Sequence, residues 1–351
     1  MPGSQRRKSK DKSVNLRDVA NHAGVSPMTV SRVINGEEYV KDATKSKVLA
    51  SISALNYKPN QFARALAGKR TYKLALLYAN PSAFYLSELL VGALEELSQH
   101  GHQLLVHKIS ETATPEVIEE SLLELVGEYD GVIVPGPFAD FTNVRDFLSA
   151  NKMPAVFLSS FEGVSGTKKV CIDDFEASKE ITNHLISLGH TRIGFVKGPR
   201  KHYSAGERLL GHKHALSESG LGQHKDLLVA GKFTFESGFS AAKKLLAAAP
   251  RPTAVFAGND DMAAGVLAYA ASIGIKVPED LSVVGFDDSP VASAVFPRLT
   301  TVRQPLGQMA AGAIRTLLEL IRPSPSAQGD GNDVLKVPYR IVHGGSTSSP
   351  K

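Results

Sequence analysis

Three pairs of polar residues stand where short apolar runs end. Asp173 and Asp174 follow VCI, Asn259 and Asp260 follow TAVFAG, and Asp287 and Asp288 follow LSVVGF. Such runs read as buried strands, and ligands of open α/β sheets bind beyond the carboxyl ends of strands. The six side chains are therefore candidates for a cleft. Each also has a plainer use: Asp260 and Asp288 can cap following helices, and Asp173 can hold loop amides. A second constellation lies near the N-terminus, in SPMTVSRVING. Ser26 suits the cap and Pro27 the first turn of a short helix. Val30, Val33 and Ile34 make its apolar stripe, which leaves Pro27, Met28, Thr29, Ser31 and Arg32 outward or at its start. An outward Arg can donate two parallel bonds to guanine O6 and N7.

Enzymatic chemistry finds little support. No G-x-S-x-G occurs, and SVVGFDDSP is not a nucleophile elbow. His100, His102 and His107 lack metal-ligand spacing with Cys or acidic neighbours. GVIVPGP is glycine-bearing but lacks the Lys-Ser/Thr of a phosphate cradle. We expect no catalytic residues, no metal and no cofactor. His184 and His190, in NHLISLGHTRIGF, are six residues apart.

The elements that position these residues follow from periodicity. Asn15 can cap a helix over 16–23 whose Leu16, Val19, Ala20 and Ala23 share one face, and Gly24 can supply the turn that ends it. Residues 41–56 offer a third helix, with Val48, Ile52 and Leu55 closing a small core. Two short helices joined by a glycine turn read as helix-turn-helix, whose second helix enters the major groove. From Lys73 onward, strands (LALLYA, QLLVHK, GVIVPG, PAVFLS, VCID, RIGFVKG, LLVA, TAVFAG, LSVVGFDD) alternate with helical patterns, starting with 88–99. That alternation implies parallel sheets covered by helices on both faces.

Charge divides the same way. Residues 1–73 hold fifteen Lys/Arg and five Asp/Glu, a net of +10, while the whole chain is +5, leaving about −5 for 74–351. A basic head on a mildly acidic body suggests a polyanion partner for the head. A solvated basic tail over 1–13 is the plainer account of part of that charge. No apolar run is long enough for a membrane span, and no apolar segment follows the basic N-terminus to make a secretory signal. The single Cys171 cannot form an internal disulfide, which fits a reducing cytoplasm.

The segments LRDVANHAGVSPMTVSRVING, VLASISALNYKPN and ARALAGKRT together resemble the lac repressor (LacI/GalR) family of bacterial regulators, and the resemblance runs to Ser346. It implies an α/β chain: a three-helix helix-turn-helix head (14–58), a hinge helix and linker (59–71), then a two-lobed periplasmic-binding-protein-like body of parallel sheets (72–346). One lobe is expected over 72–172 plus 303–325 and the other over 173–300 plus 334–346, with 322–333 a surface loop. By the same resemblance Pro27, Met28 and Arg32 read bases, while Thr29, Ser31 and Asn35 contact phosphates, which set register without reading sequence. The segment from Asn60 to Ala67 matches the hinge that folds on the operator, with Leu66 at the position that wedges between base pairs. Eight residues are too few for a stable isolated helix in water.

The resemblance also assigns the cleft. Arg208, Asn259 and Asp287 match the family's effector-binding Arg, Asn and Asp. Gln304 lies at the crossover, Phe233 where an aromatic covers the effector, and Phe84 and Tyr85, in the loop after the first strand, on the opposite wall. An Asp, an Asn and an Arg can bracket adjacent hydroxyls while an aromatic face covers a sugar ring. The expected function is a homodimeric repressor on a pseudo-palindromic DNA operator, released by a small-molecule effector, a mono- or disaccharide, in the cleft. The alternatives are corepressor logic on the same fold or, from another class, a solute-binding transport component. The C-terminus IVHGGSTSSPK lacks tetramerising leucine heptads.

Overall fold

The computed structural model describes residues 14–34, 40–55, 57, 71–79, 82–98, 101–110, 112–159, 166–222, 224–322 and 333–351. The chain divides into two compact units, Met1–Thr71 and Tyr72–Lys351.

In the first unit three helices form: α1 (Leu16–Ala23), α2 (Pro27–Ile34) and α3 (Asp42–Ala54). Asn15 starts α1 with a capping box: its side chain accepts from the Asp18 amide, and Asp18 accepts from the Asn15 amide at 2.8 Å. Gly24, at φ 66°, ends the helix in the left-handed region. Ser26 Oγ accepts the Thr29 amide at 3.1 Å and starts α2. Val19, Ala20, Val30, Val33, Val48 and Tyr57 make the buried core, with Ile52 and Leu55 packed against it. His22 Nδ1 meets Ser51 Oγ at 3.0 Å and ties α1 to α3.

The second unit holds two lobes. The first has a six-stranded, wholly parallel sheet in the order β11-β5-β4-β3-β1-β2. Its strands are β1 (Lys73–Tyr78), β2 (Gln103–Lys108), β3 (Gly131–Pro135), β4 (Ala155–Leu158), β5 (Lys169–Cys171) and β11 (Val334–Lys336). Helices α4 (Ala83–Ser98), α5 (Pro115–Leu123), α6 (Thr142–Ala150) and α12 (Leu306–Ile321) belong to it, with α4 packed on α12 and α5 on α6. The second lobe has a four-stranded parallel sheet in the order β7-β6-β8-β9. These are β6 (Ile193–Lys197), β7 (Leu228–Ala230), β8 (Ala254–Ala257) and β9 (Ser282–Val284). Its helices are α7 (Asp174–Ser187), α8 (Tyr203–Glu218), α9 (Phe235–Leu246), α10 (Asp260–Ser272) and α11 (Pro290–Ala294). An antiparallel pair, β10 (Thr301–Arg303) with β12 (Arg340–Val342), lies beside β9 through bridges at Thr300 and Arg303.

The chain crosses between lobes three times, from β5 to α7, from β10 to α12 and from β11 to β12. This corrects the expected division. Residues 334–336 do not join the second lobe but add an edge strand to the first sheet, Val334 opposite Lys169. Only the segment after the crossing, from Arg340, belongs to the second lobe. Helix α4 also starts at Ala83, five residues earlier than its apolar pattern suggests.

Where α4 crosses α12, a Cβ added at Gly92 would lie 2.1 Å from the Gly307 carbonyl oxygen, which is backbone and cannot swing aside. Gly92→Ala should force the helices apart at a cost of about 1–3 kcal/mol. Thermal unfolding should show that loss as a lowered melting temperature, and an unchanged one would contradict the close approach.

Candidate functional site

The cleft lies at the carboxyl ends of the strands and encloses about 660 Å³ of non-atom space, open solvent at its mouth included. Six of the seven residues expected there line it: Tyr85, Arg208, Phe233, Asn259, Asp287 and Gln304. Phe84 does not; it packs, partly buried, against the main hydrophobic core. Because 83–98 is helical, the neighbours Phe84 and Tyr85 point about 100° apart, and only Tyr85 faces the cleft.

Arg208 is the centre of the site. It is 5% exposed, and its place on α8 aims it across the ends of β8 and β9. Its Nε donates to Asp174 at 2.8 Å and its second nitrogen to the Gly258 carbonyl at 2.7 Å. The same nitrogen stands 3.7 Å from Asp287. The guanidinium lies 3.7 Å from the centre of the Phe286 ring, a cation–π contact in a desolvated place. Asp287 accepts from Gln304 Nε2 at 2.6 Å. Burial pushes the Asp287 carboxyl up to about 7, against the pull of Arg208 and Gln304. Burial also raises the Tyr85 phenol, and the charges of Asp174 and Asp287 add to that, so it stays a neutral hydroxyl.

Asn259 is more than a lining residue. Its Oδ1 accepts the Met262 amide at 3.0 Å, capping α10, and its Nδ2 donates to the Phe233 carbonyl at 3.2 Å. Phe233 sits at φ 59°, Asp287 at φ 119° and Asp288 at φ 53°. Positive φ at non-glycine residues costs on the order of 1–3 kcal/mol each and concentrates at functional sites. Three such residues lie in or beside one cleft, and Asn259 holds the first of them in place.

Asp260 is fully buried, accepting the Ser289 amide at 2.8 Å and the Thr301 hydroxyl at 2.6 Å. It joins the β8 end to β10 rather than facing a ligand. Asp173 accepts the Glu176 amide at 3.0 Å and caps α7. Asp288 pairs with Arg303. His190 contacts Thr253, Ser282 and the Ser348 carbonyl, a packing arrangement. The strand-end reading passed over Asp140, Ser159, His202 and Ser204, all of which line the cleft. Ser159 directly follows β4, so the rule used for Asp287 could have found it. Cys171 is buried at the cleft, and burial pushes its thiol up to about 11. That thiol is inert at neutral pH.

In the head, Met28 is 63% exposed, and Pro27 and Arg32 are exposed, while Thr29 and Ser31 are half-buried. The outward face of α2 therefore carries the expected base readers. Asn35, Asn60, Leu66 and Ala67 lie outside the described residues.

A helix-turn-helix unit and a two-lobed body with a polar cleft, carried on one chain, define a ligand-responsive class of DNA-binding transcriptional regulator. Residues 15–60 match the family described as bacterial regulatory proteins, lacI family, and residues 182–347 match a periplasmic binding protein-like domain. Catabolite control protein A of Priestia megaterium is 33% identical over 337 residues, covering 95% of this chain and 99% of that protein. The transcriptional regulator CelR–cellobiose complex aligns at TM-score 0.71 and 31% identity, covering 95% of this chain and 99% of that one. The lac repressor dimer bound to operator and the anti-inducer ONPF aligns at TM-score 0.74 and 27% identity, covering 96% and 100%. The chain belongs to the LacI family of bacterial transcriptional regulators. No helix among the described residues is long and apolar enough to cross a membrane.

Proposed function

We propose that this protein is a homodimeric repressor that binds a pseudo-palindromic operator and is released when a small sugar fills the body's cleft. The observation that carries this is one chain holding both the outward Met28–Arg32 face and a cleft built on Arg208, Asp287 and Gln304. Its relatives in structure include a cellobiose-bound regulator and an operator-bound dimer. Residues 14–58 read the DNA, 59–71 act as the hinge and 72–346 bind effector and partner. Pro27, Met28 and Arg32 contact bases, Thr29, Ser31 and Asn35 contact phosphates, and the stretch from Asn60 through Leu66 to Ala67 enters the minor groove. In the cleft, Asp287, Gln304 and Tyr85 meet effector hydroxyls, Phe233 covers the ring, and Arg208 and Asn259 hold these groups in position.

The dimer face includes α4, where Val91 and Leu94 are each 53% exposed, three residues apart on one side. The protein acts in the cytoplasm, at the nucleoid, and has no catalytic step. Effector binding works by population shift: the sugar must favour the released arrangement of the body over the DNA-bound one. A gel-shift titration with candidate sugars tests this; operator binding that no sugar weakens would sink it.

Arg32 is the strongest hydrogen-bonding reader on α2. Arg32→Ala should relax discrimination at one base pair per half-site by about 1–3 kcal/mol. Competition between matched and mismatched duplexes measures that. A uniform loss across all sequences would instead make Arg32 a phosphate contact.

A further inference from the structure

The opposite wall of the cleft holds an arrangement that effector release, as just described, does not use. After β3, a short 3-10 turn, Phe138–Asp140, brings Asp140 to the cleft. Phe138 and Ala139 are buried in the first lobe's outer core, so the turn is anchored there. One oxygen of Asp140 accepts the Tyr203 amide at 2.9 Å, and the other accepts the Ser159 hydroxyl. Tyr203 is the first residue of α8, in the second lobe. The N-cap residue of that helix, His202, makes no side-chain cap bond. The first N–H groups of any helix need an acceptor from outside the helix. Here one comes from the other lobe. The Tyr203 ring also packs against the first lobe's outer core, so backbone and side chain dock on the same lobe.

A helix N-terminus facing a cleft favours an anion, through its amides and its dipole. Asp140 places the protein's own negative charge there. Among the described lining residues Arg208 is the one Lys or Arg, and its guanidinium is already engaged by Asp174, Gly258 and Asp287. Two lining carboxylates, Asp140 and Asp174, stand against that single guanidinium, and the Asp287 carboxyl, raised to about 7 by burial, joins them once it ionises. A phosphate or carboxylate entering the cleft would meet like charge and no uncommitted guanidinium.

We infer that Asp140 is a specificity-determining residue: bridging the lobes through Tyr203, it occupies the helix terminus an anion would use and restricts the effector to an uncharged polyhydroxylated molecule. This deepens the reading of the cleft as an effector site and rests on it.

The test uses the full chain, as wild type, Asp140→Ala and Asp140→Asn. Amide hydrogen exchange reads the bridge, and phosphorus NMR line broadening of inorganic phosphate reads anion access. Asp140→Ala should speed exchange of the Tyr203 amide by up to about ten-fold, the scale of one lost hydrogen bond. Asp140→Asn keeps an acceptor and should change exchange less, but removes the charge. It should therefore show saturable phosphate broadening that the wild type lacks. Tyr203 exchange unaltered by Asp140→Ala overturns the bridge. Phosphate behaviour that is the same in wild type and Asp140→Asn, binding or not, overturns the exclusion. If Asp140→Ala does not fold, the near-isosteric Asp140→Asn decides alone by its phosphate result. Neither readout involves operator or sugar, so failure here is distinct from failure of the operator-release titration.

Discussion

Arg208→Ala should destabilise the 72–351 unit by about 3–5 kcal/mol, the usual result of removing one partner from a buried ion pair. The loss has four sources. Asp174 keeps a buried carboxylate without its 2.8 Å donor, and Asp287 loses its nearest cation. The Gly258 carbonyl loses its 2.7 Å donor. The Phe286 ring loses a guanidinium packed on its face. Arg208→Lys keeps the charge but not the planar fork, and should fall between wild type and alanine. Urea unfolding followed by circular dichroism measures all three chains. A change below about 1 kcal/mol for the alanine variant would mean that Arg208 is an ordinary, replaceable surface cation, for which the usual range is about 0–1 kcal/mol.

Asp287→Asn should have the second large effect, and its sign depends on pH. The folded carboxyl is raised from 3.8 to about 7, chiefly by burial. A group whose folded pKa lies above its unfolded one contributes stability fully below the unfolded value and loses it as pH rises through the folded value. Between those limits the folded chain holds a proton that the unfolded chain releases. Asparagine resembles the protonated acid and does not titrate. Wild type and variant should therefore melt together only below the unfolded value of 3.8, diverge as pH rises from there towards 7, and differ most at pH 8, where the variant should melt higher. Each kcal/mol is worth roughly 2–4 °C for a domain of about this size, so a gain of several degrees is expected. Equal melting temperatures at both pH values would contradict a buried, raised carboxyl. At pH 8, where the wild-type carboxyl is ionised, the same variant should keep operator binding and lose the response to effector.

Much of this was legible in the sequence, for physical reasons. Asn15, Gly24 and Ser26 punctuate the head through local hydrogen bonds and a positive φ, and local rules read such positions well. The main strands were visible because parallel strands buried on both faces are continuous apolar runs. The edge strand Val334–Lys336 was not: it is three residues long and half-exposed, so no run marks it. Its lobe is set by a chain crossing, which periodicity does not encode.

In the cleft, strand-end logic and family resemblance reached Arg208, Asn259, Asp287 and Gln304. They missed that Arg208 and Asn259 are bound mainly to the protein itself, since internal partners come from segments 26 to 50 residues away in sequence. Phe84 was misplaced because the start of α4 was read five residues late. Asp140 was missed because its significance lies in Tyr203, on the other lobe.

The central claim is that one chain couples a DNA-reading head to a sugar-binding cleft. Fluorescence anisotropy of a labelled operator, selected from random duplexes by the full chain, tests it most directly during titration with neutral mono- and disaccharides. One such sugar should weaken binding of the wild type about 5–150-fold, the usual span of allosteric coupling, and leave that of Asp287→Asn unchanged. Operator affinity indifferent to every sugar, or an Asp287→Asn chain that still releases DNA, would contradict it.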